Sequence, residues 1–322
     1  VSADVEGLVA RAREGDHRGV ARLISMVEDA SPQLRDVMAA LAPYTGNATV
    51  VGLTGSPGVG KSTTTSMLLS AYRSAGRRVG VLAVDPSSPF SGGALLGDRV
   101  RMQEHATDPG VYIRSMGTRG HLGGLSWATP QAVRVLDAVG CDIVIVETVG
   151  VGQSEVEIVS LADTTVVLLA PGMGDGVQAA KAGILEIADV YVVNKADRDG
   201  ADATVRELRT MMSLSPAPAG GWRQPIVKTV ASRGEGAEEL LEALEAHHAW
   251  QEASGALDER RRARAAGEIE AIAVTALRAR MRGRDGSSPL DGLADEVVNG
   301  ELDPYAAADS LVESVTDLQP EV

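Results

Sequence analysis

Residues Gly55 to Ser62 read GSPGVGKS and match the phosphate-binding pattern G-x-x-x-x-G-K-[ST] at every fixed position. No other stretch narrows the fold as far, because the pattern has physical meaning only between a strand and a helix. Both flanks are present: Thr49, Val50, Val51, Gly52 and Leu53 form a short apolar run, and Thr63 to Ala75 carries helix-compatible residues. In that setting the glycines let the backbone wrap phosphate oxygens. Amide N–H groups and the helix N-terminus face the anion, and Lys61 adds a positive point charge. Gly55, Ser56, Pro57, Gly58, Val59, Gly60, Lys61, Ser62 and Thr63 are the candidate phosphate contacts, with Ser62 the candidate Mg²⁺ ligand.

The rest of the chain supplies a sheet for this loop. Val79 to Val84 is an apolar run ending in Asp85, and an acid at the carboxyl end of a buried parallel strand faces the crevice where ligands bind. Val111 to Met116, Asp142 to Val146, Thr164 to Leu169, Val190 to Val193 and Ile226 to Val230 read as further strands. Helices are expected near 130 to 139, 176 to 188, 199 to 212 and 235 to 251. Strand alternating with helix implies parallel pairing with right-handed crossovers. The expected fold is therefore α/β: a P-loop NTPase with a mostly parallel central sheet of about seven strands, flanked by N- and C-terminal helical extensions. Residues 1–47 read as an N-terminal helical arm, with Val5, Leu8, Val9, Val20, Leu23, Ile24 and Val27 on repeating faces. The arm covers a sheet edge or meets a partner, and the sequence leaves both open. Residues 48–254 form the nucleotide domain, and Gly255 marks its end. Residues 255–322 form a C-terminal helical arm whose Ile269, Ile272, Ala273, Ala276 and Leu277 make one apolar stripe suited to pairing between subunits.

Chemistry enters at the strand ends. Asp142 to Val146 runs into Glu147-Thr148-Val149-Gly150, an acid, two further residues and then a glycine. That is the form of a Walker B and second-switch segment, in which the acid reaches Mg²⁺ through water and the glycine amide senses the terminal phosphate. Glu147 stands where most small GTPases have Asp, which leaves its contact distance open. The strand ending at Val193 continues into Asn194-Lys195-Ala196-Asp197, the N-K-x-D pattern. A carboxylate at its fourth position accepts from guanine N1–H and the 2-amino group together, whereas adenine offers no such donor pair. Lys195 lies over the ring, Asn194 braces the loop, and Ala231, Ser232 and Arg233 occupy the place of a third base-contacting loop.

The glutamine that orients water in many GTPases directly follows the switch glycine, and here Val151 holds that position. Asp85 and Asp98 are the available acids, slow intrinsic turnover is expected, and Lys61, Asp85, Asp98 and Glu147 are the candidate catalytic residues. Ser62, Asp85 and Glu147 form the candidate metal set. The glycine-rich stretch from Pro171 to Gly183 is a flexible connection or a third switch with Asp175, Gln178 and Lys181 facing a partner.

Composition removes other classes. A formal charge of −14 and a 3% aromatic content argue against nucleic acid, which needs basic patches and stacking platforms. No apolar run approaches the roughly 18 residues of a membrane span, and Asp4, Glu6, Glu14 and Asp16 disfavour a transit peptide. With the single Cys141, expected to pack at a strand start, this fits a cytoplasmic protein. The five histidines are scattered without ligand spacing and are expected mostly on the surface.

With GSPGVGKST, the DPSSP to SGGALLGDRVRM loop, ETVGVGQSE, the GDGVQAAKAG loop and NKAD in this order, the chain resembles the methylmalonyl-CoA mutase-associated GTPases, the MeaB/ArgK group of the SIMIBI class. The resemblance implies a homodimer joined through the C-terminal arm. It also implies a G-protein chaperone of the adenosylcobalamin-dependent mutase, using GTP/GDP and Mg²⁺ to gate cofactor loading and protect the enzyme. By the same resemblance Asp85 and Glu147 lie near Mg²⁺, Asp98 belongs to the first switch, and Gln178 and Lys181 to the third. Two other readings remain: a nucleotide-dependent binding module with negligible turnover, and an ATP-dependent kinase linked to basic amino-acid transport.

Overall fold

The computed structural model describes residues 3–85, 105, 107–117, 128–148, 154–172, 184–214, 220–281 and 289–316. The described residues divide into two compact units, 1–261 and 262–322.

Unit one opens with α1 (Ala3–Arg13), α2 (His17–Glu28) and α3 (Leu34–Leu41). The alternating part follows: β1 (Thr49–Thr54), α4 (Lys61–Ser74), β2 (Val79–Asp85), β3 (Val111–Gly117), α5 (Thr129–Ala138), β4 (Ile143–Glu147), α6 (Ser154–Leu161), β5 (Thr164–Leu169), β6 (Val190–Asn194), α7 (Ala201–Leu214), β7 (Ile226–Thr229) and α8 (Ala237–Ser254). The strands form one seven-stranded sheet of order β3-β2-β4-β1-β5-β6-β7. Every pairing is parallel, so the expected "mostly parallel" sheet is parallel throughout. β1 sits between β4 and β5, at the point where the chain changes its direction of travel across the sheet. In open α/β sheets that is where ligands bind, outside the carboxyl ends of the strands.

Period-two alternation sorts the side chains between two faces. Val50, Val144 and Val146 pack with α5, α6 and the N-terminal helices, while Val51, Leu53, Ile143 and Ile145 pack against Leu68 and Leu69 of α4 and Leu240 and Leu244 of α8. Of the two roles left open for the N-terminal arm, covering the sheet is the one visible here. Val5, Leu8, Val9, Val20, Leu23, Ile24 and Val27 are all buried, and Arg114 of β3 reaches Glu28 and Ser25 of α2. Cys141 is buried as expected, and burial pushes its thiol up to about 12. No helix among the described residues is long and apolar enough to cross a membrane.

The amino edge of the sheet is stitched by aspartates that the sequence reading passed over. Asp163 accepts from Val50 N–H at 3.0 Å, Asp189 from Thr165 N–H at 2.8 Å, Asp142 from Arg78 N–H at 2.7 Å, and Asp137 from Ala48 N–H at 2.9 Å. Each satisfies a strand-start amide that the ladder leaves unpaired. Arg260 and Arg261 close the charge balance, at 2.8 Å from Asp189 and 3.2 Å from Asp163.

His247 of α8 lies in this edge and is buried, whereas the histidines were expected mostly on the surface and His17 is exposed. His247 is 1% exposed, stands 2.8 Å from the Thr164 hydroxyl, and packs in a cluster with Trp222 and Trp250. Asp189 is 3.4 Å from its Nε2 without hydrogen-bond geometry. Burial lowers its pKa from 6.5 to about 4, against the opposing pull of Asp189. An unfolded chain therefore binds a proton on His247 that the folded chain refuses between those two values. Stability is whole above about pH 6.5 and falls by about 3 kcal/mol as the pH drops to about 4. Urea titrations of the wild type and of His247→Gln at pH 7 and pH 5 check this. The variant should lose most of the pH dependence that the wild type shows in that window.

The remaining helices are α9 (Ala256–Met281), α10 (Pro289–Val298) and α11 (Pro304–Thr316). Within unit two Ala307 and Leu311 are buried, whereas Ile269, Ile272 and Leu277 are 68%, 50% and 43% exposed. The apolar stripe read in the sequence therefore faces outward.

Candidate functional site

The parallel sheet brings its chemistry-bearing strand ends to one edge. β1 ends at Thr54 and passes into the glycine loop, β4 ends at Glu147, whose Cα pairs with that of Leu53, and β6 ends at Asn194. Asp85 ends β2, two residues beyond Ala83, which pairs with Glu147, so its backbone reaches the same edge.

The loop's glycines are required by neighbours as well as by backbone curvature. Gly60 has φ +102° and precedes α4, and a Cβ there would run into the Asn194 side-chain amide. Gly55 has φ +144°, and its Cβ would strike the Leu168 carbonyl of β5. Both conformations favour a residue without a Cβ. Lys61 is 7% exposed and curls back over the loop, donating to the carbonyls of Gly55 at 2.6 Å and Ser56 at 3.1 Å. Its ammonium and the N-terminus of the 14-residue α4 form a positive cradle suited to phosphate oxygens.

The Asn194 side chain joins three segments. Its amide donates to the Val59 carbonyl at 2.8 Å, and its Oδ1 accepts from Ala231 N–H and the Thr229 hydroxyl, each at 3.1 Å. Lys195 takes φ +57°, a left-handed conformation rare outside glycine, and its Nζ donates to the Gly58 carbonyl at 2.6 Å. Asn194 and Lys195 are thereby both tied to the glycine loop. Ala231–Arg233 form a 3₁₀ turn immediately beyond β7, and Arg233 stands 3.3 Å from Asp197. Pro57 lies in the glycine loop, and Thr63 and Ser232 border a groove between α4 and α8.

Glu147 is 4% exposed, and its carboxylate is held by α4: the Ser62 hydroxyl donates to Oε1 at 2.6 Å and the Thr65 hydroxyl to Oε2 at 2.9 Å. The distance left open by the longer side chain is thus a direct contact with the candidate metal ligand. Hydroxyl and carboxylate oxygens side by side are the hard donors that Mg²⁺ prefers, completed by water and phosphate oxygens, so the residues fit that ion. Among the described residues no cluster of three or more His, Cys, Asp or Glu forms a separate metal cage.

The sequence reading missed Thr65 and Thr229. Thr65 was within reach, because it lies three residues beyond Ser62 on the same helix face. Asp98, Gly150, Asp175, Gln178 and Lys181 lie outside the described residues, as does most of the helix expected near 176 to 188, where a 3₁₀ turn spans Ile184–Ile187. The side chain of Asp85 is likewise outside the description.

With this geometry in hand, comparison with known proteins decides the family. Residues 20–285 match the family model described as methylmalonyl Co-A mutase-associated GTPase MeaB. The chain belongs to the MeaB family of GTPases. A Pyrococcus horikoshii protein named as a GTPase is 49% identical over 313 residues, covering 97% of this chain and 98% of its own. The GTPase ArgK of Escherichia coli is 40% identical over 195 residues, 59% of each chain. Among solved structures, one described as an LAO/AO transport system kinase shares the fold with a TM-score of 0.70 at 24% identity, covering 98% of this chain and 99% of its own. MeaB family membership agrees with the resemblance drawn from the motifs and with a nucleotide site of the P-loop kind.

Proposed function

We propose that this MeaB family member binds GTP in the cradle between Gly55–Thr63 and Asn194–Asp197, hydrolyses it slowly, and uses the nucleotide state to control an adenosylcobalamin-dependent methylmalonyl-CoA mutase. The observation that carries the nucleotide part is the double tie of Asn194 to Val59 and Lys195 to Gly58. It holds a base loop bearing Asp197 at a fixed reach from a phosphate loop bearing Lys61.

In this reading Lys61 and the α4 amides hold the phosphates, Ser62 and Glu147 hold Mg²⁺ together with Asp85, and Asp197 accepts from the guanine edge. Lys195 lies along the ring, and the Ala231, Ser232 and Arg233 turn closes the base side. Bound Mg²⁺ would neutralise charge that develops on the phosphoryl oxygens. The chain's own part is positional: Lys61 stabilises charge at the transferred group, and Asn194 keeps the two loops in register. Gly150 would sense the terminal phosphate, with Asp98 in a first switch and Asp175, Gln178 and Lys181 in a third switch facing the mutase.

The mutase as client rests on the family description alone. A pull-down of the mutase with the full chain loaded with GDP or with a non-hydrolysable GTP analogue tests it. A complex that differs between the two states supports the reading, equal capture in both removes the nucleotide control, and capture in neither leaves a GTPase without this client.

We also propose that residues 255–322 pair two copies of the chain, as the exposed Ile269, Ile272 and Leu277 suggest. Ile269→Asp combined with Ile272→Asp should turn a dimer into a monomer by light scattering, with the nucleotide affinity of unit one unchanged. A dimer that persists would move the interface elsewhere.

A further inference from the structure

We propose that Thr65 is a positioning residue for Glu147, holding the carboxylate by its far oxygen so that the near one faces the metal ligand Ser62. This rests on the reading of Glu147 as a holder of Mg²⁺. A glutamate has one more rotatable bond than an aspartate, and a carboxylate on so long a stem loses its aim unless something fixes it. The two contacts to α4 do so from a single helix face. Ser62 meets Oε1 at 2.6 Å, and Thr65, one turn later, meets Oε2 at 2.9 Å. Both hydroxyls lie in buried residues, and Thr65 is 0% exposed.

The two hydroxyls differ in what else they face. Ser62 borders the phosphate loop, whereas Thr65 lies about 4.5 Å further along the helix axis, away from the phosphates. A helical threonine ordinarily turns its hydroxyl to the carbonyl four residues back. Thr65 instead donates to a side chain 82 residues away in sequence. It is therefore the fixed end of the arrangement, and Ser62 the end that meets the ligand. Losing the Thr65 donor leaves one oxygen of a buried carboxylate short of a charge-assisted hydrogen bond and frees the stem to turn away from Ser62.

The test uses the full chain and reads metal affinity apart from turnover. Release of a fluorescent GDP analogue is followed across free Mg²⁺ concentrations buffered with EDTA, for the wild type, Thr65→Val, Thr65→Ser and Glu147→Gln. Thr65→Val keeps the shape and removes the donor. It should raise the Mg²⁺ concentration for half-maximal retention about tenfold, the effect of one lost charge-assisted bond. Metal-free GDP affinity should be unchanged, and Thr65→Ser should match the wild type. In a Glu147→Asp background, where the shorter side chain no longer spans to Thr65, Thr65→Val should shift the midpoint less than about twofold, a departure from additivity that marks the two side chains as coupled. A wild-type midpoint in Thr65→Val, or an undiminished effect in the Glu147→Asp background, overturns the proposal. A wild-type midpoint in Glu147→Gln overturns the reading beneath it. If Thr65→Val fails to fold, Thr65→Cys, a weak donor of similar size, gives the same comparison.

Discussion

Lys61→Ala is expected to lower phosphate release from GTP by about a thousandfold, the scale on which removal of one preorganised charge stabiliser acts. The side chain is 7% exposed and its ammonium lies 2.6 Å from the Gly55 carbonyl, so it already sits inside the loop. Among the described residues the other lysines are engaged elsewhere: Lys195 donates to the Gly58 carbonyl at 2.6 Å and Lys228 to Asp202 at 3.2 Å. The substitution removes two hydrogen bonds within the loop, yet α4 is buried along Leu68 and Leu69, so helix content by circular dichroism should not change. Turnover that survives in the variant would mean that phosphate is not held here.

Asp197→Ala is expected to weaken GTP about a hundredfold or more while leaving ATP binding within about twofold, because only guanine presents the donor pair that a carboxylate satisfies. Inosine triphosphate sharpens the test, since it keeps N1–H and lacks the 2-amino group. The wild type should prefer GTP to ITP by about tenfold, one hydrogen bond to a charged group, and the variant should not separate them. Stability should hardly move. The Asp197–Arg233 pair is 3.3 Å long with side chains 37% and 59% exposed, and exposed pairs of this kind contribute about 1 kcal/mol or less. Competition titrations with the three nucleotides measure all of this together. An unchanged GTP affinity would remove Asp197 from base recognition.

The sequence was most readable where the physics is local or periodic. Three strands announced themselves as runs of branched apolar residues closed by a polar one: Val84 by Asp85, Val146 by Glu147, Val193 by Asn194. A parallel sheet buried on both faces leaves no alternation to confuse that signal. The glycine loop and N-K-x-D were legible because each is a contiguous stretch with a fixed chemical task. What escaped reading was produced by strand order. Nothing near Gly60 in sequence says that Asn194 occupies the space beside it, and nothing near His247 says that Thr164, Asp189 and Trp222 stand against it. The aspartates of the amino edge look like ordinary loop acids until the pairing of β1 with β5 and of β5 with β6 sets each beside an unpaired amide. Thr65 was hidden differently: the helical spacing from Ser62 was visible, but its partner 82 residues away was not.

The central claim is that this site hydrolyses GTP, and not ATP, with the help of Mg²⁺. The measurement that meets it most directly is phosphate release by the purified full chain from equal concentrations of GTP and ATP, each with Mg²⁺ and with EDTA. Slow release from GTP that disappears with EDTA, and none from ATP, is the predicted result. Equal release from both nucleotides, or release from GTP that ignores EDTA, would contradict it.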